Sequence, residues 1–263
     1  MSPDRPLAPG KAAAPTTVPA PAVHLLEVEP DLGRDLDPQQ RTAANQLALP
    51  VCSVTNDNAD IDELIAKTNA LGVLIVDGAL LRQIRVNSHA ALQLLGPGDI
   101  YMHGAEPGSA LLAESHCLAT SGTKLALLDN DILVATNQWP RLVAGLLRRI
   151  AKQAERISLQ LAVSQLPRVE DRLLAIFELI SDQWGYLTPQ GRMIPLRLTH
   201  ETLGGLVGAR RPTVTLALHT LADQGELTKD STGWLLRHDV TARRGDHEPP
   251  HGRKAPPIAA GPQ

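Results

Sequence analysis

The run Leu198-Thr199-His200-Glu201-Thr202-Leu203-Gly204-Gly205-Leu206-Val207-Gly208-Ala209-Arg210-Arg211-Pro212-Thr213-Val214-Thr215 decides the architecture of this chain. Thr199 is a good helix N-cap, because its hydroxyl can accept from the free amides of a first turn. Leu203, Leu206 and Val207 then recur at helical spacing. Gly208-Ala209 can turn the chain. Pro212 fits the start of a new helix, where a missing N–H costs nothing. That second helix carries Val214, Leu218 and Leu221 on one face and runs to Gly225. Leu227 and Trp234 to Leu236 then form a small hairpin around Asp230-Ser231-Thr232-Gly233. Helix, short turn, helix and hairpin make a winged helix-turn-helix.

The residues at the start of the second helix suit duplex DNA. A helix N-terminus favours phosphate, and Arg210, Arg211, Thr213 and Thr215 cluster there. Arginine can bond guanine bidentately, while threonine can touch phosphate or a thymine methyl. Lys229 and His238 flank the wing, within reach of a DNA backbone. Surface solvation is the plain alternative for the arginines, but two adjacent arginines at a proline-initiated second helix is a restrictive setting.

Outward from this motif, Met193 to Leu198 reads as a short strand and Glu170 to Gln183 as an amphipathic helix, with Leu173, Leu174, Phe177 and Ile180 on one face. Pro167 marks a hinge. Before it, Val143, Leu147, Ile150, Ala154, Ile157 and Leu161 are spaced 4, 3, 4, 3, 4. That is a heptad seam of a single long helix beginning near Trp139-Pro140, which either packs on its own domain or meets a second copy in parallel.

The first half reads differently. Pro38 to Leu49, with Asp37 as N-cap, and Ile61 to Asn69 read as helices; Val23 to Val28 reads as a short strand. Leu71 to Val76, Ala79 to Val86 and His89 to Leu95 are predicted strands, the first two joined as a hairpin at Asp77-Gly78. Further strands are predicted near Ser109–Cys117 and Lys124–Leu128, and Asp129 and Asp131 fall in a loop. Short strands at this spacing suggest a sandwich or barrel.

Charge divides along the same line. The net −3 comprises −8 over residues 1–139, +4 over 140–238 and +1 over 239–263. A basic module beside an acidic one fits a polyanion partner. Aromatics are only 2% of the chain, which argues against stacking recognition of single strands. The 2 cysteines, Cys52 and Cys117, are too few for a four-cysteine zinc or iron–sulfur site. They read as buried structural thiols. His89, His103, His116 and Cys117 leave haem sensing open. No esterase elbow, Walker loop or His-Glu-x-x-His run is present, so an enzyme is not expected. Apolar stretches fall short of a membrane span, and the early residues lack a secretory core, which gives a cytoplasmic expectation.

The run from Leu198 to Thr215 resembles the helix-turn-helix signature of the CRP/FNR transcription regulators. Gly72 to Asp99, with Leu95-Gly96-Pro97-Gly98-Asp99, resembles the middle of that family's cyclic-nucleotide-binding-like β-roll. The heptad helix falls where the family has its dimerisation helix. The resemblance implies an α+β chain with an N-terminal β-roll, a jelly-roll-like sensor domain, over residues 23–138. A long dimerisation helix follows over 139–165, and a C-terminal winged helix-turn-helix over 166–238. Residues 1–22 and 239–263 are then tails; Pro30, Pro38 and Pro50 lie inside the fold.

The resemblance also implies roles. Arg211 matches an arginine that reads guanine. Thr213 and Thr199 match threonines that contact phosphate. Pro212 and Leu216 stand where well-known members have a base-reading glutamate and arginine, so their half-site is not expected here. Family members that bind cyclic nucleotides use Gly-Glu-Leu and Arg-Ser/Thr-Ala segments; Met102-His103-Gly104 and Ala113-Glu114-Ser115 stand there instead. No arginine occurs from Val86 through Trp139, and Glu114 would repel a phosphate. Expected partners are double-stranded DNA, a second copy of the chain and RNA polymerase; no membrane, metal or cofactor is expected, and the effector is unknown. The alternative is a small-molecule or protein-binding sensor module with a degenerate winged helix.

Overall fold

The computed structural model describes residues 10–87, 89–102, 113–230 and 233–237. Strand β1 (Thr17–His24) leads into α1 (Leu25–Val28), a 3₁₀ turn at Pro30–Gly33 and α2 (Pro38–Ala44). Then come β2 (Ala48–Val54), β3 (Ala59–Asp60), α3 (Ile61–Thr68), β4 (Gly72–Asp77), β5 (Leu80–Val86) and β6 (His89–Leu95). Strands β7 (Ile100–Met102), β8 (Ala113–Ala119) and β9 (Lys124–Leu128) complete two antiparallel sheets, ordered β1-β2-β9-β4-β7 and β3-β8-β5-β6. They are followed by α4 (Asn130–Gln138) and α5 (Pro140–Ser164). The last part comprises α6 (Val169–Trp184), β10 (Tyr186–Thr188), β11 (Gly191–Ile194), α7 (His200–Val207), α8 (Arg211–Asp223), β12 (Leu227–Lys229) and β13 (Trp234–Leu236). Its sheet runs β10-β11-β13-β12.

Three apolar cores hold these elements. Val54, Val73, Ile75, Leu80, Leu95, Cys117 and Leu125 fill the β-roll. Leu25, Leu49, Leu74, Ile132 and Leu142 join the first sheet to α1, α4 and α5. The third core centres on Phe177 and Trp234, 5.0 Å apart between ring centroids, and it reaches beyond the winged domain to Leu81, Leu92 and Leu94 on β5 and β6. The sensor-like and DNA-binding-like parts therefore share one core.

Several expectations are corrected. Residues 17–22 are not tail: β1 pairs with β2, with a register shift between Ala20 and Val23 where Pro21 falls opposite Pro50. An edge strand tolerates proline, because one side of its ladder is unused. Asn56 ties the stretch further, accepting from the Thr16 amide at 2.8 Å and donating to the Ala14 carbonyl at 3.0 Å. Residues 25–28 are helical, and α2 ends at Ala44, so Leu49 belongs to β2. Asp37 caps α2 as expected, accepting from the Gln40 amide at 2.8 Å. Asp77-Gly78 does not close a hairpin; β4 and β5 lie in different sheets, and the turn carries the chain between them. Asp129 is no loop residue but the N-cap of α4, accepting from the Asp131 amide at 3.0 Å. The strand expected over 193–198 is β11, ending at Ile194 and preceded by β10. The expected C-terminal tail, 239–263, and residues 1–9 lie outside the described residues.

Candidate nucleic-acid interface

Thr199 caps α7 as its type dictates, accepting from the Thr202 amide at 3.0 Å. Gly208 ends the helix in the left-handed region at φ +66°, where a Cβ would be strained. The chain then enters α8 through Arg210 and Arg211, with Pro212 in the first turn. Val214, Ala217, Leu218 and Leu221 anchor α8 in the core. That leaves Arg211, Pro212, Thr213, Leu216 and His219 on the solvent side. The first-turn amides of α8 lack intrahelical acceptors, so this end presents donors together with two guanidinium groups.

Of the six predicted DNA contacts, Arg210, Arg211 and Thr213 are exposed at the tip of α8. Lys229 is exposed on the wing, its ammonium 5.3 Å from the centroid of the Trp234 ring. Thr199 and Thr215 are placed differently. Thr199 spends an oxygen lone pair on its own cap. Thr215 Oγ1 donates to the Arg211 carbonyl at 3.0 Å and lies 2.8 Å from His200 Nδ1. Thr215 thus braces the two helices against each other. His238 lies outside the described residues.

His200 is the residue that the sequence reading passed over. Partial burial lowers its pKa from the ordinary 6.5, and the nearby charges of Lys229, Arg211 and His219 lower it further. These groups converge from α7, α8 and the wing onto one cationic face. Only its place just after the Thr199 cap could have flagged it.

The predicted seam residues lie along one face of α5. Leu147, Ile150, Ala154, Ile157 and Leu161 are exposed and Val143 is half-buried. The opposite flank faces the chain itself, apolar at Leu142 and Leu146 and polar from Arg149 to Gln160. Arg149 pairs with Glu29 and donates to the Gly98 carbonyl. Gln153 brackets Ile100, accepting from its amide at 3.3 Å and donating to its carbonyl at 3.0 Å. Arg156 bonds Asp99, which is fully buried, and Gln183 of α6. Gln160 donates to the carbonyls of Leu92 at 2.8 Å and Leu206 at 3.0 Å, joining β6 to α7.

In the β-roll, Glu114 does not confront the interior. It is exposed on β8 and pairs with Arg85 at 4.0 Å. Arg82, a strand earlier, is the guanidinium that bonds Ser115, through Nε at 3.3 Å. Among the described residues no group of three histidine, cysteine or acidic side chains could hold a metal ion. His89 and His116 are exposed, Cys117 is buried, and His103 lies outside the described residues. Burial pushes the thiols of Cys52 and Cys117 up, away from reactive thiolates. No helix among the described residues is long and apolar enough to cross a membrane.

Residues 168–242 match the Crp-like helix-turn-helix domain. The Cyclic AMP receptor protein of Thermus thermophilus is 27% identical over 141 residues, 51% of this chain and 59% of that protein. The chain thus matches less than two thirds of that relative's length. FixK2 from Bradyrhizobium japonicum shares the fold at a TM-score of 0.53 and 17% identity, over 68% of this chain and 88% of that one. A cyclic nucleotide-binding domain containing protein from Listeria monocytogenes shares it at 0.54 and 16% identity, over 71% and 87%. Over residues 168–242 the chain therefore carries a Crp-like helix-turn-helix domain, and its fold is shared with these solved structures.

Proposed function

We propose that this protein is a sequence-specific transcription regulator that binds a palindromic DNA site as a homodimer and does not respond to cAMP. The observation that carries the reading is the cationic tip of α8, where exposed Arg210, Arg211 and Thr213 stand beside Lys229 and His200. A helix so anchored and so charged can enter a major groove N-terminus first. Arg211 reads a guanine edge, Thr213 and Arg210 hold phosphate, and Thr199, whose hydroxyl also lies 2.9 Å from that of Thr202, stands at the start of α7 beside the path of a phosphate.

Dimerisation is supported by the exposed apolar stripe from Leu147 to Leu161. Pairing two copies along it sets two recognition helices about one DNA turn apart, roughly 34 Å. RNA polymerase is the partner that a bound regulator would recruit or block. Indifference to cAMP is supported by Ala113-Glu114-Ser115 and Met102-His103-Gly104, which stand where the β-roll of cyclic-nucleotide binders has Arg-Ser/Thr-Ala and Gly-Glu-Leu.

Selection of bound duplexes from a random pool tests DNA binding, palindromy and spacing together. An enriched inverted repeat is expected. A pool that enriches no motif would leave the alternative of a sensor with a degenerate winged helix. Calorimetry with cAMP should give no binding heat; a micromolar dissociation constant would refute that part.

A further inference from the structure

A cavity of about 550 Å³ opens where the β5–β6 hairpin, the C-terminal half of α5 and helix α7 meet. Its size is that of small-molecule sites, which run from about 300 to 1,000 Å³. The walls are mostly aliphatic, with Ile84, Ala91 and Leu92 from the hairpin, Ile157 and Leu161 from α5, and Leu206 from α7; Gln93, Gln160 and Ser164 add uncharged polar groups. Among the described residues lining it, none is aromatic and none is acidic. Arg82 is the one charged residue among the described residues that line it.

Arg82 is positioned for a guest. Its Nε is held by Ser115 Oγ at 3.3 Å. Its Nη edge has the fork geometry that suits a planar carboxylate. A charge against aliphatic walls is costly unless a counter-charge arrives. A nucleotide fits poorly, because its base would meet no stacking ring among the lining residues.

We propose that this cavity binds a medium-chain aliphatic monocarboxylate, its carboxylate held by Arg82 and its chain lying between β6, α5 and α7. The guest touches the sensor hairpin and the helix-turn-helix at once, through Leu92 and Leu206. It therefore binds the arrangement in which α7 lies on β6 and stabilises that arrangement by mass action. This regulatory consequence rests on the DNA-binding reading; the binding itself does not. Ile157 and Leu161 also belong to the seam assigned to a second copy, so that copy's helix is the competing occupant.

The test is calorimetry on the full chain without DNA, using octanoate, decanoate and dodecanoate below their micellar concentrations, with decanol and cAMP as comparators. Decanoate should bind at least about tenfold more tightly than decanol, since a charge-assisted hydrogen bond separates them. Arg82→Gln should lose about tenfold to hundredfold in decanoate affinity. Ala91→Trp should abolish binding by filling the cavity, with circular dichroism showing both variants folded. Should Arg82→Gln fail to fold, the decanoate-to-decanol ratio of the unaltered protein still decides the role of charge. No carboxylate binding, equal affinity for decanoate and decanol, or binding only in a variant whose seam is broken each overturn the proposal. Carboxylate binding with no DNA binding would instead overturn the regulator reading alone.

Discussion

Between Leu146 and Val163, which both pack inward on apolar cores, the two faces of α5 invert the usual order of a surface helix. Toward its own chain it turns Arg149, Gln153, Arg156 and Gln160, each bonded to a backbone or side-chain group. Toward solvent it turns Leu147, Ile150, Ile157 and Leu161, at 60%, 42%, 45% and 66% exposure. An amphipathic helix ordinarily buries its apolar stripe. The inversion teaches that the inner face fixes how α5 sits on its own chain while the outer face is left uncovered. Polar side chains that each satisfy specific carbonyls and carboxylates define one register between sensor, helix and winged domain. Apolar side chains without cover define a contact to be made with another molecule.

Breaking the outer face should have the largest effect. The double substitution Ile150→Glu and Ile157→Glu places like charges in the seam, and light scattering should show a monomer where the unaltered protein gives a dimer. Affinity for a palindrome should fall by roughly a hundredfold or more, because centrally placed interface residues carry most of the energy. A dimer surviving both charges would mean that the stripe serves something else.

Arg211→Ala comes next, at about 1–3 kcal/mol of specific binding, with preference relaxed at one base position. Gel-shift competition with single-base variants of the selected site reads this; unchanged specificity would remove Arg211 from the reading set. On the inner face, Gln160→Ala deletes two hydrogen bonds that join β6 to α7. It should loosen the shared core by about 1–3 kcal/mol, seen as earlier hydrogen exchange in α7 while β9 is unchanged.

The smallest expected effect is a pH dependence. The fold disfavours the His200 imidazolium through burial and the charges of Lys229, Arg211 and His219. Its contribution to stability is therefore present above the ordinary histidine pKa of 6.5 and is lost as pH falls below it. DNA phosphate favours the charged form, so binding takes up a proton and affinity should rise as pH drops from neutrality toward about 6. Fluorescence anisotropy across that range should show the rise, and His200→Gln should flatten it.

Much of the inner and outer pattern was legible from residue types. The 4, 3, 4, 3, 4 spacing from Val143 to Leu161 marks the exposed stripe, and Thr199, Gly208 and Pro212 carry enough local chemistry to bound α7 and α8. Strand β6 has the bounds expected of it, His89–Leu95. What local chemistry does not encode is the choice of partner. Asp77-Gly78 makes a good turn whether the next strand pairs with the last or crosses to another sheet. Leu81, Leu92 and Leu94 alternate like any half-buried strand, and nothing local says that α7 will cover them. Arg82 looks like a surface charge on a strand until the register sets it opposite Cys117 and among the residues lining a cavity. Proline misled at β1, since Pro19 and Pro21 suggest a tail wherever an edge strand has not been recognised.

The near-absence of aromatic residues leaves the protein with a sparse and well-distributed set of spectroscopic reporters. Trp139 packs against the core that joins the first sheet to α5. Trp184 donates to the Pro97 carbonyl at 3.4 Å and lies 5.9 Å from the Arg156 guanidinium, at the junction of sensor and winged domain. Trp234 sits at the base of the wing beneath Lys229. Each indole thus marks a different joint of the molecule. Variants retaining one tryptophan at a time would let emission from each joint be followed separately, so that movement of sensor against helix, helix against winged domain, and wing against recognition helix could be timed in one chain.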